Sequence, residues 1–254
     1  MAGLAALRAP TRRSALPATA LVRSIGLSGL VRPASEHAAE AAGSAVERML
    51  PVLPELRRLL PGGGMRRGTT VAVRHGGAPG GVSVLLTLLA AASAAGSWCA
   101  VIGLPDLGAV AAAESGIALD RFALVPHPGP EWPSVAAALL DGLDVVVAAA
   151  PGPVAASVAG RLAARARQRG SVLIPYGPWS GADVTLEPVA GSWLGLGQGH
   201  GRLARRELVI ASHGRGAAAR PRQVTVWLPV NSTHPVPIEL ATPRFDPLPE
   251  AVAG

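Results

Sequence analysis

The sequence lacks lysine, holds a single cysteine and has no long hydrophobic run, and each shortage excludes a class of protein. Every one of the 23 basic side chains is therefore an arginine. Cys99 alone excludes an intrachain disulfide and a zinc site built from several cysteines, and its apolar surroundings favour a small buried side chain. No uncharged run has the length and flanks of a membrane-spanning helix, so we expect a cytoplasmic protein without a membrane contact.

Histidines are few, and they do not follow a metal-binding pattern. The six of them show neither an H-x-x-x-H nor an H-E-x-x-H spacing, so we expect no metal and no cofactor. The formal net charge is +7, which permits contact with nucleic acid or with an acidic partner. Apolar residues make up 49% of the chain, which is enough for one α/β domain with extensions.

Composition divides the 254 residues into four segments. Residues 1–34 carry arginines and no acid, and we expect a disordered basic leader. Residues 35–60 have acids early and arginines late, as a helical segment broken by two prolines would. Residues 61–228 form the expected core, and residues 229–254 read as an irregular tail because prolines recur there.

Within the core, short β-branched apolar runs alternate with longer Ala- and Leu-rich stretches. This alternation predicts a parallel sheet with right-handed crossovers. The predicted strands are 69–74, 98–103, 122–126, 143–149 and 171–176. The predicted helices are about 82–96, 107–115, 132–142 and 153–168. The last third changes to antiparallel edge strands, predicted at 183–188, 192–196, 206–212 and 222–228. The predicted fold class is therefore α/β with a mostly parallel sheet.

A glycine-rich loop joins the first predicted core strand to the first helix. This order of strand, loop and helix is the layout of a phosphate-binding loop, in which glycines let backbone N–H groups close on an anion. The pattern G-x-x-x-x-G-K-[ST] is nevertheless incomplete, since Val82 occupies the lysine position. Two interpretations stay open, a tight turn that packs strand on helix and an altered nucleotide site. The residues of this degenerate loop are Gly76, Gly77, Gly80, Gly81 and Ser83.

A second group needed for nucleotide hydrolysis is also missing. An ATPase of this layout holds Mg²⁺ with an acid at the end of an apolar strand. The strand at 143–149 ends in Ala150-Pro151-Gly152 instead. Asp141 and Asp144 precede its valines, and therefore lie at the wrong end of a parallel sheet. We expect no catalytic residue and no enzyme activity.

Arginines cluster near the end of the core, beside a run of glycines. A flexible basic loop of this kind suits contact with a nucleic-acid backbone, whereas the alternative is a solvated surface. Trp193 and Trp227, in the same region, are expected to lie in the core. The candidate nucleic-acid contacts are Arg202, Arg205, Arg206, Arg215, Arg220 and Arg222.

Two stretches carry a resemblance to a known family. The run LPGGGMRRGTTVAV, residues 60–73, resembles the start of the RecA core. The segments GSWCAVIGLPDLGAVAAAESGIALDRFALVPHPG and WSGADVTLEPVAGSWLGLGQGHGRL resemble actinobacterial ImuA-type proteins, which are RecA-like and related to SulA. The resemblance covers about residues 40–228 and implies a RecA-like sheet with a degenerate phosphate loop.

The same resemblance implies a function and partners. ImuA-type proteins are accessory factors of damage-induced mutagenesis, and act with ImuB, a Y-family polymerase homologue, and a DnaE-type error-prone polymerase in translesion synthesis. We therefore expect a non-catalytic accessory protein that binds an ImuB-type protein and, indirectly, a DnaE-type polymerase. Contact with DNA or a RecA filament and self-association stay open. The alternatives are a nucleotide-binding ATPase with arginine in place of the loop lysine, and a SulA-like inhibitor of cell division.

Overall fold

The computed structural model of the chain describes residues 48–75, 78–197 and 200–228. The chain divides into two compact units, Met1–Leu50 and Pro51–Gly254. In the first unit only residues 48–50 are described, and they include the short strand β1, Met49–Leu50. The predicted leader, the part of the predicted helical segment before residue 48 and the predicted tail all lie outside the described residues.

The second unit alternates strands and helices. Its strands are β2 Met65–Arg66, β3 Val71–Val73, β4 Cys99–Ile102, β5 Phe122–Val125, β6 Val145–Ala149, β7 Val172–Tyr176, β8 Val184–Gly197, β9 His200–Gly214 and β10 Arg222–Leu228. Its α-helices are α1 Gly81–Ala94, α2 Ala109–Glu114, α3 Trp132–Gly142 and α4 Ala156–Arg169. Short 3₁₀ helices span Pro54–Leu59, Pro61–Gly63, Leu119–Arg121 and Gly216–Ala218.

Eight of these strands form one sheet in the order β10-β9-β8-β3-β7-β6-β4-β5. Pairing is parallel from β5 through to β8 and antiparallel between β8, β9 and β10. The predicted fold class, a mostly parallel α/β sheet with antiparallel edge strands near the C-terminus, is confirmed. Strand β3 lies between β7 and β8, so the chain enters the glycine-rich loop from the middle of the sheet.

The central strands are buried on both faces, which is why they read as continuous apolar runs. Every residue of β4 and β6 is buried. Helices α3 and α4 cover one face, where Leu140 and Leu162 pack with Val146 and Leu173. Helix α1 is itself almost entirely buried, which explains why its sequence is apolar all round.

One expectation about element boundaries was wrong. The runs 183–188 and 192–196 are not separate strands but one strand, β8, which continues through an irregularity between Pro188 and Ala190. Gly191 makes this continuity feasible, because an added Cβ there would lie 3.0 Å from a backbone carbonyl oxygen of β9. In the predicted helical segment, Met49–Leu50 is extended, and the described helical part is a 3₁₀ turn that starts at Pro54.

No helix in the described ranges is long and apolar enough to span a membrane.

Candidate functional site

The glycine-rich loop leaves the carboxyl end of β3 and leads into α1. Gly76 and Gly77 lie outside the described residues, and the chain is described again from residue 78. Gly80 is the residue before the helix and has a φ of 133°, in a region that favours glycine. The described residues therefore show the predicted strand before the loop and the predicted helix after it.

Tight packing explains why two of the loop positions are glycine. A Cβ on Gly81 would lie 2.8 Å from the Tyr176 hydroxyl, and one on Gly80 would lie 2.8 Å from a methyl of Leu208. The Tyr176 ring in turn contacts the ring of His75, with 4.9 Å between centroids. These contacts give the glycines a steric role that holds the loop between β7 and β9, independently of any ligand.

The lysine position of the loop is taken by an apolar side chain. Val82 follows Gly81 in the first turn of α1, and its side chain is partly exposed. Ser83, the next residue, is half-buried, and its carbonyl oxygen accepts a hydrogen bond of 2.7 Å from the Thr87 hydroxyl. The loop therefore places no cation of its own at the point where a phosphate-binding loop has its lysine.

A cation reaches this point from another strand. Arg206 of β9 is only 7% exposed, and its guanidinium donates to the Pro79 carbonyl oxygen. Its Nη1 lies 3.5 Å from the Ser83 hydroxyl. The guanidinium carbon lies 5.1 Å from the centre of the Trp193 ring, a cation–π contact. Burial lowers the pKa of the Arg206 guanidinium, and its Nε–H is buried without an acceptor among the described residues.

Sequence reasoning included Arg206 in the basic cluster but missed its contact with the loop. The two segments are more than 120 residues apart, and only the pairing of β8 with β9 brings them together. Trp193 was expected in the core, and this was wrong because its side chain is about half exposed above Arg206. Trp227, 40% exposed, departs from the same expectation.

The other members of the predicted arginine cluster lie in different places. Arg215 donates to the Gly181 carbonyl and lies 3.8 Å from Asp183, at the amino end of the parallel strands. Arg222 donates to the Arg58 carbonyl oxygen at 3.2 Å. Among the rest, Arg220 is exposed, Arg205 is half-buried on β9, and the side chain of Arg202 lies outside the described residues. Arg206 therefore lies near the middle of β9 and Arg215 just beyond its end, and nucleic-acid contact by the set stays a prediction.

Asp141 and Asp144 were predicted to lie at the end of the sheet opposite to the Mg²⁺-binding end. The structure places both of them away from the carboxyl end of β6. Asp144 precedes β6, accepts the Trp98 N–H at 2.9 Å and pairs with Arg67 at 2.7 Å. Asp141, at the end of α3, pairs with Arg165 and Arg169 of α4. These hydrogen bonds hold the pKa of the Asp141 carboxyl below its usual value. The carboxyl end of β6 carries alanine, as predicted.

One acid at the carboxyl side of the sheet was missed. Glu187 of β8 lies 3.7 Å from Arg74, which follows β3. Arg74 also lines a depression of about 380 Å³ together with Trp179, Thr185 and His213. Strand pairing brings Arg74 next to Glu187 and Thr185 next to His213, and such long-range pairing leaves no local motif in the sequence.

Cys99 is buried in β4, as its apolar surroundings predicted. Burial raises the pKa of its thiol to about 12, so it stays protonated and unreactive at neutral pH.

Comparison with known proteins places this arrangement in a family. The model of the family described as MT3502 N-terminal domain matches residues 58–181. An uncharacterized protein of Mycobacterium tuberculosis, Rv3395c, is 35% identical over 163 residues, which cover 60% of this chain and 80% of the relative. The chain belongs to the MT3502 family. The match runs from the 3₁₀ turn before β2 to the residues after β7, and so includes the loop and strands β3 to β7.

The chain is also similar to a solved structure. The RadB recombinase aligns with a TM-score of 0.49 at 16% identity, over 67% of this chain and 91% of RadB. No functional conclusion follows from a likeness of this degree.

Proposed function

We propose that this MT3502-family chain is a non-catalytic, RecA-like accessory protein of damage-induced translesion synthesis. It acts in the cytoplasm by binding an ImuB-type polymerase homologue, and through it a DnaE-type error-prone polymerase. The observation that carries the proposal is a strand–loop–helix scaffold without its hydrolytic groups. Val82 stands at the lysine position, and alanine ends β6 where an ATPase of this layout has its Mg²⁺-binding acid.

Phosphoryl transfer depends on both missing groups. The lysine meets the β- and γ-phosphates, and the metal neutralises the charge that develops on the transferred group. Asp144 and Asp183, which precede β6 and β8, instead fix structure, since both accept backbone N–H groups. A sheet that keeps its core and loses this chemistry retains its surfaces, which favours a role in binding other proteins.

The surface offers apolar side chains that suit such a role. Trp98, Trp227 and Val110 are 48%, 40% and 71% exposed. Tryptophan is enriched at the centres of protein interfaces, because it buries a large area at small entropic cost. These three residues are starting points for mapping the partner surface.

The test is complex formation with an ImuB-type protein. The full chain and the ImuB-type protein are co-expressed with a tag on one partner, and the complex is measured by size-exclusion chromatography with light scattering. We expect a stable complex at micromolar concentration. A Y-family polymerase that is not of the ImuB type is the matched control and should elute separately. Absence of any complex with the ImuB-type protein at micromolar concentration would contradict the proposal.

A further inference from the structure

A depression lies beside the helical layer on one face of the sheet. Helices α3 and α4 cover this face over β6 and β7, where Leu162 packs with Leu173. On the neighbouring strands, Ala72 of β3 is paired with Thr185 of β8, and Thr185 with His213 of β9. Side chains that are paired across strands share a face, so these three residues form the floor of the depression. The small side chain of Ala72 leaves room above it, and the depression has a volume of about 380 Å³.

One wall of this depression is apolar. Pro153 and Val154 follow β6, whereas Pro178 and Trp179 follow β7, and all four line the depression. Val154 and Trp179 also pack against the buried cluster between the sheet and the two helices. The core therefore holds this wall in place, and its proline and tryptophan rings present a rigid apolar surface.

The polar side of the depression is formed by Arg74, Ser180 and Thr185. Arg74 follows β3, and its side chain is about half exposed. None of these three side chains has a hydrogen bond to another described residue. Glu187 lies 3.7 Å from Arg74, beyond the roughly 2.7–2.9 Å of a charge-assisted hydrogen bond. The N–H groups of the Arg74 fork are therefore available to a ligand.

A carboxylate matches this polar side better than a nucleic-acid backbone does. The planar fork of an arginine binds both oxygens of a carboxylate at once. A nucleic-acid backbone is held by several cations, whereas here Arg74 is the one arginine in the lining and has Glu187 beside it. The volume suits a small group, since ligand pockets span roughly 300–1,000 Å³.

We propose that this depression binds an organic carboxylate with an apolar or aromatic body. The carboxylate pairs with Arg74, the hydroxyls of Ser180 and Thr185 donate to it, and the body packs against Trp179. Its source is either a free small carboxylic acid or the C-terminal residue of a peptide. This inference does not depend on the proposed function, because it uses neither the glycine-rich loop nor the end of β6.

The test measures binding of four probes by tryptophan fluorescence and by calorimetry. The probes are phenylacetate, its neutral amide phenylacetamide, an N-acetylated tripeptide that ends in phenylalanine with a free carboxylate, and an oligo-dT strand. The proteins are the full chain, Arg74→Gln, Trp179→Phe and Arg161→Gln. Arg161 is exposed on α4, away from the lining, so its variant is a matched control for the loss of one positive charge.

We expect a carboxylate probe to bind the full chain and Arg161→Gln with a saturable change in tryptophan emission. Binding of that probe to Arg74→Gln, and of phenylacetamide to the full chain, should be at least about tenfold weaker, because a charge-assisted pair is lost. In Trp179→Phe the emission change should disappear while calorimetry still detects binding. Preference for phenylacetate identifies a small acid as the source, and preference for the tripeptide identifies a peptide terminus.

Three results would overturn the proposal. They are the absence of saturable binding by either carboxylate, equal binding of phenylacetate and its amide, and equal affinity in Arg74→Gln and Arg161→Gln. Binding of oligo-dT that requires Arg74, with neither carboxylate bound, would assign the depression to nucleic acid instead.

A second variant keeps the test informative if Arg74→Gln fails to fold. Glu187→Gln removes the acid beside Arg74 and leaves the guanidinium in place. We expect it to bind the carboxylate probe about two- to fivefold more tightly, since an internal competitor for Arg74 is lost. Unchanged or weaker binding in Glu187→Gln would contradict the pairing of the ligand with Arg74.

Discussion

The two ends of the parallel strands differ in how their charges are balanced. At the amino end, Asp144 pairs with Arg67 and Asp183 lies near Arg215, and both aspartates also accept a backbone N–H. At the carboxyl end, beside the glycine loop, Arg206 is buried and has no carboxylate partner among the described residues.

The ion pairs at the amino end therefore stabilise the fold, whereas the charge of Arg206 is not compensated by a carboxylate of the described residues. In each pair at the amino end the aspartate compensates the charge of its arginine, so neither group needs a ligand of opposite charge. At the carboxyl end, where open α/β sheets bind ligands, Arg74 pairs with Glu187, whereas Arg206 has no carboxylate partner among the described residues, and β6 ends in alanine. The predictions below test each half of this contrast.

The largest effect is expected at Gly103, at the carboxyl end of β4. Gly103 follows β4 with a φ of 76°, and an added Cβ would lie within 3 Å of the Ala149 carbonyl oxygen. Gly103→Ala should lower the free energy of unfolding by about 2–4 kcal/mol, because both the backbone conformation and the space oppose it. Urea denaturation followed by circular dichroism measures this loss.

Gly160→Ala is the matched control for that substitution. Gly160 lies within α4, where an added Cβ meets nothing within 4 Å. This variant should be more stable by about 0.5–1 kcal/mol, because alanine favours a helix over glycine. Equal losses of unfolding free energy in the two variants would show that the packing around Gly103 does not determine the effect of its substitution.

A smaller effect is expected from the balanced pairs at the amino end. Asp144→Asn removes the charge that pairs with Arg67 and weakens the bond accepted from the Trp98 N–H. We expect a loss of about 1–2 kcal/mol, measured by the same denaturation. Asp120→Asn, at a side chain 67% exposed beside Arg121, should change stability by less than about 0.5 kcal/mol. An Asp144→Asn variant as stable as the parent would contradict a structural role for this pair.

The smallest effect belongs to the exposed pair between α3 and α4. Because Arg165 and Arg169 hold the pKa of Asp141 below its usual value of 3.8, the pair stabilises the fold above that pH. This contribution should disappear as the pH falls through the lowered pKa. The Tm of Asp141→Asn should therefore be slightly below that of the parent at pH 7, and the difference should shrink as the pH falls below 3.8. A difference that does not change with pH would mean that Asp141 acts through packing rather than charge.

Much of the fold was predictable because its signals are local. The run VVVAA at 145–149 is apolar and β-branched enough to indicate a buried strand by itself, and the stretch from Ala156 to Arg169 shows a helical pattern. The alternation of such segments indicates a parallel sheet. The sequence also showed that Val82 occupies the lysine position of the loop, because this depends on one position in one motif.

The rest depends on contacts between distant segments. Arg206 and Pro79 meet only because β8 runs through Pro188 as one long strand and β9 folds back on it. Sequence patterns divided β8 at this point, since proline and glycine usually end a strand. With the strand divided, the position of Arg206 over the loop could not be derived, and the exposure of Trp193 above it was missed for the same reason.

We propose above all that this chain keeps the scaffold of a phosphate-loop protein and does not hydrolyse nucleotide. The most direct measurement is release of inorganic phosphate from Mg-ATP by the full chain, alone and in complex with an ImuB-type protein. We predict no release above that of buffer in either case, and none in the Val82→Lys variant, because the acid at the end of β6 is still missing. Turnover of ATP by the unmodified chain that saturates with ATP concentration would contradict the account.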